Sequence, residues 1–120
     1  MKKILIVDDA PTVIKLVKFS LEDEFEVESA SNGQEALVLI GQNQYDLGIF
    51  DINMPGINGI ELTRQAKLTP NGAGMKIIIL TTESSDEMRQ RGKEAGALGW
   101  MTKPFKEQDL RDLMNTVFSG

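Results

Sequence analysis

The chain has 120 residues, a net charge of −5, and neither cysteine nor histidine, and its length is typical of one domain. Without cysteine it forms no disulfide, iron–sulfur cluster or thiolate zinc site, and without histidine any imidazole chemistry must come from another molecule. The acidic balance and the lack of an apolar run long enough to span a bilayer predict a cytoplasmic protein with no nucleic-acid partner and no membrane insertion.

Five segments have the length and composition of β-strands. In chain order they are KILIVD (3–8), EVESA (26–30), DLGIFD (46–51), KIIILT (76–81) and LGWMT (98–102). The first, third and fourth are continuous apolar runs, which is typical of strands buried on both faces. EVESA alternates polar and apolar residues instead, so we expect it at an edge of the sheet.

Helical patterns fill the intervals between these strands. The first helix has Pro11 near its first turn, where a missing N–H costs nothing. Three later helices carry N-terminal cap signals, namely Asn32 with Glu35, Asn58 with Glu61, and Ser84 with Glu87. The fifth shows the clearest apolar stripe, formed by Leu110, Leu113, Met114, Val117 and Phe118. Five strands therefore alternate with five helices.

Strict β-α alternation predicts an α/β fold with a parallel sheet, right-handed crossovers and helices on both faces. An edge position for the second strand favours the order 2-1-3-4-5, a doubly wound, flavodoxin-like sheet. We expect one domain over residues 1–120. Ligands of such sheets bind beyond the carboxyl ends of the strands, here near the switch between the first and third strands.

Polar side chains stand at four of these carboxyl ends. They are Asp8 and Asp9 after the first strand, Asp51 after the third, Thr81 after the fourth and Lys103 after the fifth. Close carboxylates repel one another by roughly 3 kcal/mol per pair at an effective dielectric near 20, so a cation is needed. Oxygen ligands favour a hard ion such as Mg²⁺. Together with the lysine and the hydroxyl, this set resembles a phosphoryl-transfer site that forms an acyl phosphate on one aspartate.

Each of these residues also has an ordinary structural interpretation when taken alone. Asp8 or Asp9 could cap the first helix. Asp51 could open an Asx-turn, and Thr81 could cap the helix after the fourth strand. Lys103 could be a solvated surface charge. These separate roles do not explain why all five residues are predicted at one edge of one sheet.

Four motifs in order give the sequence a family resemblance: LIVDDAP, DINMPGINGIEL, ILTTES and GWMTKPF. Over its whole length the chain resembles a receiver domain of the two-component response regulators. Asn53, Glu83 and the stretch GKEAGALGWMTKPF are similar to the free-standing chemotaxis type. The resemblance implies that Asp51 is the phosphoacceptor and that Mg²⁺ is the cofactor.

The resemblance also assigns roles around Asp51. Mg²⁺ would be held by Asp8, Asp9 and Asp51 with the backbone carbonyl of Asn53. Lys103 would pair with the phosphoryl oxygens. These roles describe a protein that is not an enzyme, but that catalyses its own phosphotransfer and autodephosphorylation.

A second group of residues would report the phosphorylated state. Thr81 would contact the phosphoryl group, and Thr81 with Trp100 would form the switch. Thr82 replaces the alanine or glycine that is frequent in the family, and Trp100 is bulkier than the usual tyrosine or phenylalanine. Asn53, Thr82, Glu83 and Pro104 would flank the site, with Pro104 after a cis peptide bond.

The implied partners are a histidine kinase as phosphodonor, a downstream protein such as a flagellar motor switch component, and a phosphatase. The downstream protein would bind the face made by the fourth helix, fifth strand and fifth helix. The fourth helix offers only Met88 and Ala95 for burial, and Gly92 lowers its helix propensity further. We therefore expect this helix to be weakly anchored.

Four other functions can be compared with the sequence. The chain could be the receiver fragment of a longer regulator, or a phosphorelay intermediate. A small aspartate-dependent phosphohydrolase is a remote alternative, because DIN resembles the D-x-D motif of the haloacid dehalogenases. A flavodoxin-like electron carrier would share the topology, but the carboxylates of DDAPT would repel a flavin phosphate.

Overall fold

The computed structural model describes residues 1–82 and 85–119, which form five strands and five helices. They are β1 (Lys3–Val7), α1 (Pro11–Leu21), β2 (Glu26–Ala30), α2 (Gly33–Gln42), β3 (Leu47–Asp51), α3 (Gly59–Lys67), β4 (Lys76–Thr81), α4 (Asp86–Ala95), β5 (Gly99–Thr102) and α5 (Glu107–Phe118). The longest helix in this part of the chain has 12 residues. None of the described helices has the length and apolar character needed to cross a membrane.

The strands form one parallel sheet in the order β2-β1-β3-β4-β5, which confirms the predicted topology. Three strands start or stop one residue inside the predicted bounds: β1 ends at Val7, β3 begins at Leu47 and β5 begins at Gly99. In the register Val7 lies opposite Phe50. The residues that follow β1 and the last residue of β3 therefore emerge side by side.

The core has two layers, one on each face of the sheet. One layer joins the sheet to α1 and α5 through Val17, Leu21, Leu110, Met114 and Val117. The other joins the sheet to α2 and α3 through Ala36, Ile40, Leu62 and Ala66. Alternate residues of the buried strands point to the two layers, which explains their continuous apolar sequence.

Polar caps start three of the helices. Asn32 and Asn58 accept backbone N–H bonds from Glu35 and Glu61, as predicted. The cap predicted for the fourth helix is wrong by one residue, because Ser85 accepts the N–H of Met88, and Ser84 lies outside the described residues. Consecutive serines offer the same hydroxyl, so the sequence does not distinguish them.

Candidate functional site

Three aspartates come together where β1 and β3 end, and we call Asp8, Asp9 and Asp51 the acid cluster. Asp8 is fully buried and Asp51 is 3% exposed, whereas Asp9 faces solvent. One carboxylate oxygen of each residue lies within 4.8 Å of those of the other two. The structure thus brings together the carboxylates that the sequence predicted at this edge.

Two tight turns orient the buried carboxylates. The Ala10 backbone N–H donates to Asp8 Oδ1 at 2.9 Å, and the Asn53 backbone N–H donates to the Asp51 carboxylate. Both are Asx-turns, in which a side chain accepts the N–H two residues later. Asp51 therefore opens the turn that its sequence position allowed. The capping alternative for Asp8 and Asp9 is wrong, because Ala10 is the N-cap of α1 and no side chain bonds there.

Lys103 joins the two buried carboxylates. Its Nζ lies 2.8 Å from Asp8 Oδ2 and 3.1 Å from Asp51 Oδ1, and its side chain is 17% exposed. The Lys103 backbone N–H donates to Thr81 O at 2.6 Å, which ties the loop after β5 to the end of β4. The peptide bond from Lys103 to Pro104 is cis. The lysine is therefore part of the site and is not a solvated surface charge.

The site's electrostatics disfavour two ionised aspartates. Burial raises the pKa of the Asp51 carboxyl, and the charge of Asp8 raises it further, while Lys103 and the Asn53 N–H oppose the rise without cancelling it. Burial acts to lower the pKa of Lys103, but its contacts with Asp8 and Asp51 outweigh that effect and leave this pKa above its ordinary value. One firmly protonated lysine therefore faces two buried carboxylates and the exposed Asp9.

The acid cluster has the chemistry of a hard-cation site. All its donors are carboxylate oxygens, which suit Mg²⁺. Asp8 Oδ2 is buried and contacts the Lys103 ammonium at 2.8 Å. A carboxylate oxygen has a second lone pair, so Asp8 can contact the lysine and a metal ion together.

Gly59 is a residue of the site that sequence reasoning missed. It occupies the first position of α3, and a Cβ there would collide with the backbone carbonyl of Asp51. The Gly59 N–H donates to Ile52 O at 3.2 Å. Glycine thus allows α3 to begin directly against the end of β3. A glycine next to the Asn58 cap, where alanine would be the better helix former, is the signal that could have indicated this contact.

Three further residues are predicted near Asp51, and the structure describes Thr81 and Thr82. Thr81 is buried at the end of β4 and does not cap α4, which begins after Ser85. Thr82 is exposed and lines an apolar groove beside Lys103 and Phe105. Glu83 lies outside the described residues.

Trp100 connects the fourth helix to the sheet face that carries Thr81. It lies opposite Ile79 in the register, so its side chain shares a face with Ile79 and with Thr81 two residues further on. Gly92 of α4 is buried against the indole, and a Cβ there would lie 2.8 Å from Trp100 Cζ3. From the sequence we expected Gly92 only to weaken α4. The structure shows that its missing side chain also makes room for the tryptophan ring. The indole Nε1 is buried without a hydrogen-bond partner in the part of the chain that the structure describes.

Comparison with protein families gives one match that spans most of the chain. Residues 4–115 match the model of the response regulator receiver domain. The chain is 36% identical to the protein PilH of Pseudomonas aeruginosa over 121 residues, with 100% of both chains covered. It is 36% identical to the chemotaxis protein CheY of Halobacterium salinarum over 120 residues, which is 99% of this chain and 98% of that protein.

The fold is also similar to that of a solved structure. The chemotaxis protein CheY4 of Vibrio cholerae superimposes with a TM-score of 0.95 at 37% sequence identity. The superposition covers 98% of this chain and 99% of the other. Sequence and fold therefore agree on the same group of relatives.

Proposed function

The chain belongs to the response regulator receiver domain family, and we propose that it is a signalling switch in which Asp51 accepts a phosphoryl group. Receiver domains take phosphoryl groups from histidine kinases and act on downstream targets, as switches and not as turnover enzymes. The observation that carries the proposal is the position of Asp51: it ends the buried strand β3 with its carboxylate beside Asp8 and Asp9 and 3.1 Å from Lys103 Nζ.

The proposed transfer is an in-line displacement at phosphorus. A carboxylate oxygen of Asp51 attacks the phosphorus of a kinase phosphohistidine, a new P–O bond forms, and the P–N bond breaks. The imidazole nitrogen leaves with the electron pair and takes up a proton from water. Lys103 already contacts both buried carboxylates, so it is placed to pair with the phosphoryl oxygens, and Thr81 would donate its hydroxyl to them.

The cofactor of this step is Mg²⁺, which receiver domains bind in an acidic pocket. Asp8, Asp9 and Asp51 would hold it, with the backbone carbonyl of Asn53. When bound, the ion offsets the negative charge of the carboxylates and of the incoming phosphoryl group. The raised pKa of Asp51 supports this assignment, since it reflects burial first and then the negative charge of Asp8, which Lys103 and the Asn53 N–H do not cancel.

The response would pass from Thr81 to Trp100. The acyl phosphate carries roughly two negative charges where the carboxylate carried one, and so draws Thr81 and Lys103 more strongly. Trp100 lies on the same sheet face as Thr81 and packs on Gly92, so its movement would alter the surface made by α4, β5 and α5. Residues 1–120 would act as one receiver domain in the cytoplasm.

Chemotaxis is the proposed setting of the switch. It is supported by the similarity to the chemotaxis proteins of Halobacterium salinarum and Vibrio cholerae. The downstream partner would then be a protein such as a flagellar motor switch component, and a phosphatase would assist autodephosphorylation in resetting the switch.

The function can be tested with the single tryptophan. Beryllofluoride with Mg²⁺ mimics the phosphoryl group and should change Trp100 fluorescence in the parent protein but not in Asp51→Asn. Acetyl phosphate with Mg²⁺ should add one hydroxylamine-sensitive phosphoryl group to the parent protein only. Equal fluorescence responses in the two proteins, or a label that survives hydroxylamine, would overturn the assignment of Asp51.

A further inference from the structure

An apolar groove lies between α1 and the loop that follows β5. Its volume is about 380 Å³, which is within the range of roughly 300 to 1,000 Å³ that is usual for small-molecule sites. Its apolar lining comes from Val13 and Leu16 of α1 and from Pro104 and Phe105 of the loop. The groove therefore offers an apolar surface to a ligand of small-molecule size.

The core holds the apolar residues of this groove in place. Phe105 is buried and belongs to the core layer that joins the sheet to α1 and α5. Val13 and Leu16 are partly buried and pack against the same layer. Because these side chains are already ordered by packing, an apolar group that enters the groove has little ordering cost to overcome.

Lys103 connects the groove to the acid cluster. It lines the groove, and its Nζ lies 3.1 Å from Asp51 Oδ1. None of the other described residues that line the groove is charged. A single cation next to Asp51 and an apolar lining beyond it are complementary to a molecule with an anionic head and an apolar body.

The reaction at Asp51 places the leaving group of a phosphodonor on the open side of the site. An in-line displacement puts the leaving group on the side of phosphorus opposite the attacking oxygen. Asp51 is only 3% exposed, so this opposite side is the one that faces solvent. Thr82 is exposed directly after β4 and lines the groove, so the groove begins beside the position of the leaving group.

We propose that the groove binds the acyl chain of an acyl phosphate, so that the protein takes its phosphoryl group from medium-chain acyl phosphates in preference to acetyl phosphate. The Asp51 carboxylate attacks phosphorus, a P–O bond to Asp51 forms, and the P–O bond to the acyl group breaks. The fatty-acid carboxylate leaves with the electron pair, so the step needs no further reactant. The inference rests on the proposed function, because it names a substrate class of the same site.

The test compares hexanoyl phosphate with acetyl phosphate as donors to the full chain in the presence of Mg²⁺. Carboxylates of nearly equal basicity leave from the two donors, so their chemical reactivity is matched and only the chain length differs. Complete burial of one methylene is worth about fourfold in binding. Since the groove is open to solvent, we expect the four extra methylenes to make labelling roughly tenfold faster at low donor concentration.

Intact-mass spectrometry of quenched samples measures the initial rate, and hydroxylamine treatment identifies the acyl phosphate on the protein. Equal initial rates with the two donors would overturn the proposal, because a groove that binds the acyl chain must favour the longer donor.

Matched variants locate the preference for the longer donor. Leu16→Gln places a polar amide in the groove and should lower the ratio of hexanoyl to acetyl labelling rates roughly fivefold. Val13→Thr keeps the side-chain shape and should lower the ratio about twofold to threefold with less risk to folding. Leu68→Gln makes the first change at an exposed leucine at the end of α3, and the ratio should not change.

The rate with acetyl phosphate serves as the folding control, since it should stay at the parent value in each variant. If Leu16→Gln fails this control, Val13→Thr decides the test. An unchanged ratio in the groove variant that passes, or an equal fall in Leu68→Gln, would overturn the groove assignment.

The Asp51→Asn variant separates this inference from the proposed function. If acetyl phosphate labels the parent protein but not Asp51→Asn, and hexanoyl phosphate labels the parent protein no faster, the acyl-chain assignment falls and the proposed function stands. If both donors label Asp51→Asn as fast as the parent protein, both proposals fall.

Discussion

The acid cluster and the fourth helix are held in place in different ways. In the acid cluster, Asp8 and Asp51 are buried charges in a fixed frame of strand ends, Asx-turns and Lys103. In α4, Gly92 is the one buried residue. A change of charge at the first region therefore has a large energetic effect, whereas the second has few contacts that must break before it moves.

Lys103 is the residue on which the acid cluster depends most. Replacing it in Lys103→Met leaves two buried carboxylates without their cation, and we expect a loss of about 3 kcal/mol in the free energy of unfolding at neutral pH. Mg²⁺ should restore part of this stability, because it binds the folded state. Urea unfolding with and without Mg²⁺ measures both effects. Lys106→Met is the control, since Lys106 is exposed; equal losses in the two variants would show that the acid cluster is not electrostatically strained.

Gly92 tests whether α4 is positioned by its contact with Trp100. Gly92→Ala should destabilise the protein by about 1 to 2 kcal/mol, because the new methyl group meets the rigid indole. In a Trp100→Ala background the same change should instead stabilise by up to about 1 kcal/mol, which is the helix-propensity gain. Thermal unfolding of the parent protein, the two single variants and the double variant gives the sign of each change in stability.

Gly41 provides the matched control for that cycle. It lies in α2 with open space around its missing Cβ, so Gly41→Ala should be stabilising in both backgrounds. If Gly92→Ala remains destabilising in the Trp100→Ala background, the strain arises at a contact other than the one with Trp100.

Asp51 makes the stability of the protein depend on pH. Its folded pKa is raised, first by burial and then by Asp8, so the protonated carboxyl favours the folded state and that contribution is lost as pH rises through the raised pKa. Asp51→Asn lacks this loss. We expect the variant to gain stability relative to the parent protein as the pH rises from the ordinary aspartate pKa of about 3.9 to neutral pH.

Urea midpoints of both proteins from pH 4 to pH 8 measure that difference. Mg²⁺ should reduce it at neutral pH, because the ion stabilises the ionised parent protein. A parent protein that gains stability relative to Asp51→Asn as the pH rises would contradict the raised pKa.

The smallest effect is expected on the surface of α4. The Arg91 guanidinium lies 2.9 Å from Glu87, and both side chains are largely exposed. Glu87→Gln should change the free energy of unfolding by less than about 0.5 kcal/mol, with little dependence on salt. A loss of more than 1 kcal/mol in chemical denaturation would mean that surface ion pairs hold α4, contrary to the comparison drawn above.

Much of the fold followed from local pattern. Continuous apolar runs placed β1, β3 and β4 in the interior, and the alternating EVESA placed β2 at an edge. The caps at Asn32 and Asn58 were predictable because asparagine directly before a helical pattern is a preferred N-cap residue. The structure confirms both caps. The exact ends of the strands do not follow from local pattern. Whether a residue such as Asp8 or Leu98 joins the sheet depends on the residues that the neighbouring strand places beside it.

The sequence alone determined which residues could meet. Parallel strands place their carboxyl ends at one edge, so Asp8, Asp51 and Lys103 were predicted together before any distance was known. Only the tertiary structure decided how closely they meet, with Lys103 bridging both buried carboxylates. It also revealed the close approaches at Gly59 and Gly92. A missing side chain leaves no pattern of its own in a sequence, and its importance depends on which atoms the fold brings against it.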